Sequence, residues 1–394
     1  MEKNFGRRRQ TRARIIFVIL SVAKDLFMFY THVVRPILFK TDPEWIHRAV
    51  VGGLNLVSRL WPINFFIQKF CLIHDPRLQV RLGQLSLPNP VGLPAGFDKY
   101  IEAPYAHAMI GFGFAELGSI TFGEQPGNPK PRLWRIPKDK GFIVYYGLSN
   151  CGAEKSKARL EKITRRPVPL GISIAPTTGL AINEMAEDYI KSLLLLNSYA
   201  DYLVLNISCP NVATCDVFSQ IAFIKELITK TAAVVKAKQI SKDIFVKIGP
   251  DMNMEELDQI IDACVASKLT GIIATNLIKK REGVVSKSSA EEMNHPGGLS
   301  GKLVEEKSNA IIRHIYERAG DKLKIIGVGG IFSAQDAYKK IKLGATAVQV
   351  FTGWIYNGPL AVRQINLGLL RLLERDGLSN ITAAVGCDVG GVKK

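Results

Sequence analysis

Lys99 closes the string Asn89-Pro90-Val91-Gly92-Leu93-Pro94-Ala95-Gly96-Phe97-Asp98-Lys99, and Ser119 follows Gly118. Asn206 and Asn211 bracket Cys209 in Asn206-Ile207-Ser208-Cys209-Pro210-Asn211, while Lys247, Asn276, Gly329-Gly330 and Thr352 each stand at or near the end of a short apolar run. These side chains could do chemistry together. Asparagine amides carry both a donor and an acceptor, a lysine can meet a carboxylate, and glycine lets backbone N–H groups approach an anion. A thiol, with a reference pKa of about 8.5, is deprotonated far more readily than a hydroxyl. Taken singly, each has a plainer reading: the asparagines as turns or caps, Gly329-Gly330 as a turn, Lys247 as a strand-end salt bridge, and Cys209 as an inert buried thiol.

The elements that must hold these groups are eight short apolar runs, at 90–95, 114–120, 170–175, 202–208, 244–248, 271–276, 324–329 and 347–352, separated by helix-length stretches. That pattern predicts an α/β fold, a parallel (β/α)8 TIM barrel. The residues above fall at the C-terminal ends of the runs, the face on which such barrels place their active sites, with phosphate held after the last two strands. A barrel takes about 250 residues, and the chain has 394, so an appendage is expected. We divide it into a basic and apolar extension (1–33), a helical hairpin (34–76) and the barrel (77–394).

The hairpin is announced by Asp42-Pro43-Glu44, an N-cap candidate followed by proline, and by Ile46, Val50, Leu54, Val57 and Leu60 at steps of three and four. Ile63, Phe65, Phe66, Ile67 and Phe70 form a second apolar stretch. The pair either packs on the barrel or lies in a bilayer interface, and the two are compatible. Upstream, the apolar run 15–22 is cut by Lys24 and Asp25, well short of the ~20 residues of a spanning helix. The Arg-rich start resembles an organellar presequence, and the run a signal segment, without an A-x-A-like cleavage site after it.

The net charge is +17, and residues 1–80 carry thirteen basic against five acidic side chains. Interleaved with Ile, Leu, Phe and Trp, that charge suits an anionic membrane surface rather than nucleic acid. Six cysteines without a CxxC pair give neither a disulfide framework nor a zinc ribbon and suggest a reducing compartment. No histidine spacing suggests a metal. With 47% hydrophobic and 22% charged residues, the chain is a folded protein.

The string ending in Lys99, together with Gly118-Ser119, Gln125-Pro126-Gly127-Asn128-Pro129, Asn206 to Asn211, Gly297-Gly298-Leu299-Ser300-Gly301 and Gly327-Val328-Gly329-Gly330, resembles the dihydroorotate dehydrogenases, in order from about residue 34 to the C-terminus. Arg35-Pro36-Ile37-Leu38-Phe39 through Asp42-Pro43-Glu44 looks like the N-terminal extension of the membrane-associated, quinone-using class. The resemblance implies a bound FMN that takes a hydride from dihydroorotate, a quinone that reaches it between the two N-terminal helices, and a place on the cytoplasmic face of the cell membrane or, in a eukaryote, the mitochondrial inner membrane. It assigns flavin contacts to Ala95, Gly96, Lys99, Ser119, Ser173, Asn206, Lys247, Thr275, Gly301, Gly330, Phe351 and Thr352. It assigns substrate contacts to Lys99, Asn206, Asn211 and Asn276, and the base that removes the ring proton to Cys209.

The sequence departs from the family in several places. The quinone-using class has serine where Cys209 stands, and the soluble class has cysteine. The family's Asn-Arg-x-Gly-Phe segment reads Val144-Tyr145-Tyr146-Gly147-Leu148. A flavin-contacting asparagine becomes Ser173, the following Gly-Lys-Asn becomes Ala175-Pro176-Thr177, and the hydroxyl after Asn276 becomes Leu277. Each lost polar contact is worth on the order of 1 kcal/mol. Two catalytic readings follow: a diverged dihydroorotate dehydrogenase, or an FMN oxidoreductase acting on another dihydropyrimidine-like or less polar ring. A non-catalytic, membrane-bound flavin protein is the third reading.

Overall fold

In the computed structural model, which describes residues 25–208 and 220–390, every expected apolar run contains a strand. They are β1 (Val91–Leu93), β2 (Phe114–Ile120), β3 (Leu170–Ile174), β4 (Tyr202–Asn206), β5 (Asp243–Ile248), β6 (Gly271–Ala274), β7 (Lys324–Val328) and β8 (Ala347–Gln349). Sequence neighbours are sheet neighbours, all parallel, and Val348 of β8 lies opposite Val91 of β1, so the barrel closes. Strands buried on both faces are near-continuously apolar, which is why continuous runs rather than alternation marked them. The interior is filled. A Cβ on Gly171 of β3 would stand 2.1 Å from the Tyr202 ring of β4, so only glycine leaves room for that ring, whose hydroxyl donates to the Ala115 carbonyl (3.2 Å).

Helices return the chain outside the barrel and bury one stripe each, as Leu257, Ile260, Ile261 and Cys264 do on Met254–Ala266. That helix begins with a reciprocal cap: Asn253 Oδ1 accepts the Glu256 N–H (2.8 Å), and the Glu256 carboxylate accepts the Asn253 N–H (2.9 Å).

Two antiparallel additions were not anticipated. Val80–Leu82 pairs with Leu85–Leu87 ahead of the barrel. Chain from the loops after β2 and β6 builds a three-stranded sheet, in which Gly141–Val144 lies between Leu133–Ile136 and Gly298–Gly301. Ile136, Ile143, Ile278, Leu299 and Val304 make its small core.

The N-terminal region consists of a helical stretch through Tyr30–Val34 and Arg35–Leu38, then α1 (Pro43–Arg59) and α2 (Trp61–Cys71). Asp42 caps α1, its Oδ1 accepting the Trp45 N–H at 2.7 Å, with Pro43 at the first helical position. The break between the two helices turns the chain by 107°. Tyr30 Oη donates to the Ile355 carbonyl (2.6 Å) and Arg35 to that of Tyr356 (3.0 Å), so residues 30–38 rest on the helix Thr352–Asn357 that follows β8. The outer faces of α1 and α2 are apolar and exposed: Trp45 is 62% exposed, Phe66 60% and Trp61 76%. Among the described residues no single helix is long and apolar enough to cross a membrane.

Candidate active site

A cavity of about 450 Å³ lies at the C-terminal mouth of the barrel, within the size range of small-molecule sites. Barrel strand ends supply one wall. Leu38, Phe39, Pro43, Ile46, His47, Val50 and Leu54 supply the opposite one. Of the expected contacts, Ala95, Gly96, Lys99, Ser119, Asn206, Lys247, Thr275, Asn276, Gly301, Gly330, Phe351 and Thr352 all line it. Ser173 does not: it is fully buried behind Ser119, their hydroxyls 2.8 Å apart. Cys209 and Asn211 lie outside the described residues.

The polar groups at the strand ends hold one another. Asn206 Nδ2 donates to Ser119 Oγ (2.8 Å), and Ser208 Oγ donates to Asn206 Oδ1 (2.9 Å). Asn276 Nδ2 reaches Ser208 Oγ and the Ser208 carbonyl, both at 3.0 Å. This chain of bonds fixes the two amides before any ligand arrives, so a ligand meets oriented groups rather than mobile ones. Lys247 forms the salt bridge of its plainer reading, with Nζ 3.2 Å from Glu116 Oε1, and faces the cavity as well. Gln349 Nε2 donates to the other Glu116 oxygen (2.9 Å), while Gln349 Oε1 is buried without a partner beside the cavity.

Lys99 is held by the loop after β1, where the buried Asp98 carboxylate accepts the N–H groups of Glu102 (2.7 Å) and Ala103 (2.9 Å). Its Nζ lies 3.9 Å over the Tyr146 ring. Desolvation pushes the Lys99 ammonium down to about 7, with the charge of Arg132 adding to the effect and that of Glu44 opposing it. The Tyr146 hydroxyl is buried without a partner. Val144, Leu148 and Leu277, the apolar replacements noted in the sequence, also line the cavity.

Sequence reading missed what fastens the far wall. Glu44 of α1 meets the buried Arg132 guanidinium in two bonds, 2.9 and 3.1 Å. Burial alone would raise the Glu44 pKa, but the hydrogen bond and charge of Arg132, with Lys130 and Arg48, hold it below the ordinary value. Arg135 donates to the carbonyls of Leu38 and Phe39, both at 3.2 Å. His47 packs edge-on against Phe97 at 5.1 Å, and burial, with Lys99 nearby, pushes it down to about 3, so it is neutral. One signal for His47 was present: it falls three and seven residues before Val50 and Leu54, on the face of α1 that looks into the cavity.

The residues fit a flavin: the glycine turn Gly329-Gly330 (φ +116° and +73°) suits an anionic tail, and unpartnered polar atoms of Gln349 and Tyr146 await a ligand at the cavity. The family model described as dihydroorotate dehydrogenase matches residues 77–373. The chain belongs to the dihydroorotate dehydrogenase family.

Within that family it is 38% identical over 377 residues to the dihydroorotate dehydrogenase (quinone) of Nostoc punctiforme, covering 92% of this chain and 99% of that one. To the protein of the same name from Trichormus variabilis it is 40% identical over 374 residues, 91% of this chain and 98% of the relative. The solved structure of the Eimeria tenella dihydroorotate dehydrogenase in complex with ferulenol superposes with a TM-score of 0.76 at 32% identity, over 89% of this chain and 96% of that chain. Full-length matches to quinone-type relatives support the quinone-dependent class of dihydroorotate dehydrogenase.

Proposed function

We infer that the chain oxidises dihydroorotate to orotate, with FMN as its flavin and a quinone as electron acceptor, in pyrimidine biosynthesis. The observation that carries this reading is a single cavity with two unlike walls, polar and hydrogen-bonded at the strand ends and apolar along α1. When bound, FMN would supply the two-electron chemistry that links the substrate's hydride to the acceptor. The chain's own residues do the rest.

Gly330, Phe351 and Thr352 would hold the phosphate of FMN. Lys247 and Asn206 would face the flavin ring. Lys99 would meet the substrate carboxylate, and Asn206, Asn211 and Asn276 the ring N–H and C=O groups. Cys209 would take the ring proton as its thiolate. The apolar wall and the exposed aromatics of α1 and α2 suit an acceptor that arrives from lipid, with the hairpin lying on the membrane surface. Val144 and Leu277 thin the polar contacts around the ring, but relatives named for dihydroorotate weigh against a different ring as substrate.

The test is anaerobic mixing. Dihydroorotate should bleach the flavin within the dead time or the first seconds of a stopped-flow trace, and a long-chain quinone should restore its colour. A flavin that stays yellow with dihydroorotate contradicts the reading.

A further inference from the structure

Lys340 lies on the helix Ala334–Lys342, which follows the Gly329-Gly330 turn, and it is fully buried at 0% exposure. Its ammonium donates to Ser308 Oγ and Asn309 Oδ1, both at 2.8 Å and both neutral. Among the described residues no carboxylate lies within ion-pair distance of it. The acids it senses, Glu305 and Asp336, are both engaged by Lys302. A buried charge held only by neutral oxygens is costly. Burial pushes this ammonium down to about 7, with Glu305 and Asp336 opposing the fall, and Lys302 and Lys339 adding to it.

What lies beside this charge gives it a use. Ser308 Oγ, which receives the ammonium, donates in turn to the carbonyl of Val328 at 2.6 Å, the residue before Gly329. The first turn of Glu305–Ala319 presses on the glycine pair: a Cβ on Gly329 would stand 3.3 Å from Ser308 Cβ, and one on Gly330 2.4 Å from Glu305 Cβ. The ammonium therefore stands two hydrogen bonds behind the turn, on a different element from every residue that lines the cavity. Backbone N–H groups can point at an anion, but they carry no net charge.

We propose that Lys340 is a positioning residue for the flavin phosphate, supplying from behind the Gly329-Gly330 turn the positive charge that the turn lacks. This rests on the flavin reading above. Through Ser308 it also fixes the Val328 carbonyl, and so the direction in which the turn leaves β7. The bound phosphate is then the anion that makes a buried ammonium worth keeping.

The test separates phosphate from ring. The full chain is stripped of flavin and titrated with FMN and with riboflavin, following flavin fluorescence. The wild type should prefer FMN. Lys340→Met should weaken FMN by about tenfold, the scale of one opposite charge across a few bonds in a partly screened interior, and leave riboflavin unchanged. Asn309→Asp keeps the lysine and the side-chain volume but sets a carboxylate against the ammonium. It should shrink the FMN preference in the same direction, and it carries the test if Lys340→Met does not fold. Equal weakening of both flavins, or an unchanged preference in either folded variant, overturns the proposal, as does a wild type that binds riboflavin as tightly as FMN. A wild type that binds neither flavin overturns the flavin reading itself, and this inference with it.

Discussion

The two walls of the cavity are built on opposite principles. At the strand ends a run of amides and hydroxyls is committed to its neighbours, from Ser173 through Ser119, Asn206 and Ser208 to Asn276, and the groups sit on or just beyond buried strands of the barrel. Along α1 the wall is apolar save for the neutral His47, and it is fastened to the three-stranded sheet by Glu44 with Arg132 and, just ahead of α1, by Arg135 with the Leu38 and Phe39 carbonyls. Rigid polar groups select a small polar ring by leaving a wrong one unpaired. An apolar wall on an attached helix pair admits a long hydrophobic molecule and selects weakly. The difference teaches how one cavity can serve two substrates of opposite polarity, and it can be broken from either side.

The largest effect is expected at the polar side. Cys209→Ser should slow flavin reduction by about 10²–10⁴, the usual worth of a general base, while orotate binding is kept. Cys209→Ser kinetics equal to wild type would remove the thiol from the reaction. Next comes the fastening. Glu44→Gln leaves the buried Arg132 guanidinium without its carboxylate, and losing one partner of a buried pair costs about 3–5 kcal/mol, read as a drop in thermal midpoint. Because the folded pKa of Glu44 lies below its ordinary value, its contribution is full above that ordinary value and is lost as pH falls through the folded one. The variant should therefore show a flatter acid limb.

Lys99 gives a smaller, pH-dependent effect. With its ammonium pushed down to about 7, the neutral form gains above that pH, and affinity for orotate should fall as pH rises, by up to about tenfold per unit. A thiolate base pulls the reduction rate the other way, so kcat/KM should be bell-shaped. Orotate affinity that is flat from pH 6 to 9 would detach Lys99 from the carboxylate. Least is expected for the stability of Trp61→Ser with Phe66→Ser. These exposed positions should change the thermal midpoint little, within about 0.5 kcal/mol, yet binding to anionic vesicles should weaken.

The barrel was legible because its strands are buried on both faces and carry a polar or glycine site residue at or within a residue or two of their ends, as with Ser119 in β2, Asn206 closing β4, Lys247 before Ile248 in β5, Thr275 after Ala274 of β6 and Gly329 after Val328 of β7. The start of α1 was legible because Asp42-Pro43 is a local signal. The three-stranded sheet was not, since Gly298–Gly301 and Gly141–Val144 are short, glycine-bearing and paired across more than a hundred residues. Nor could the sequence show Glu44 meeting Arg132, or Glu116 meeting Lys247 and Gln349, because those pairs follow from register around a closed barrel and from the docking of α1. Ser173 was assigned to the flavin by its position in a family motif. Its place behind Ser119 depends on which way a β3 side chain points, which a motif does not carry.

The central claim is that the walls are functionally separate, and Val50→Trp tests it most directly. Val50 lines the cavity from α1, so an indole there narrows it from the apolar side. Followed as two half-reactions, the variant should be reduced by dihydroorotate at the wild-type rate and reoxidised by a long-chain quinone much more slowly. Equal slowing of both half-reactions, or of neither, would contradict the account.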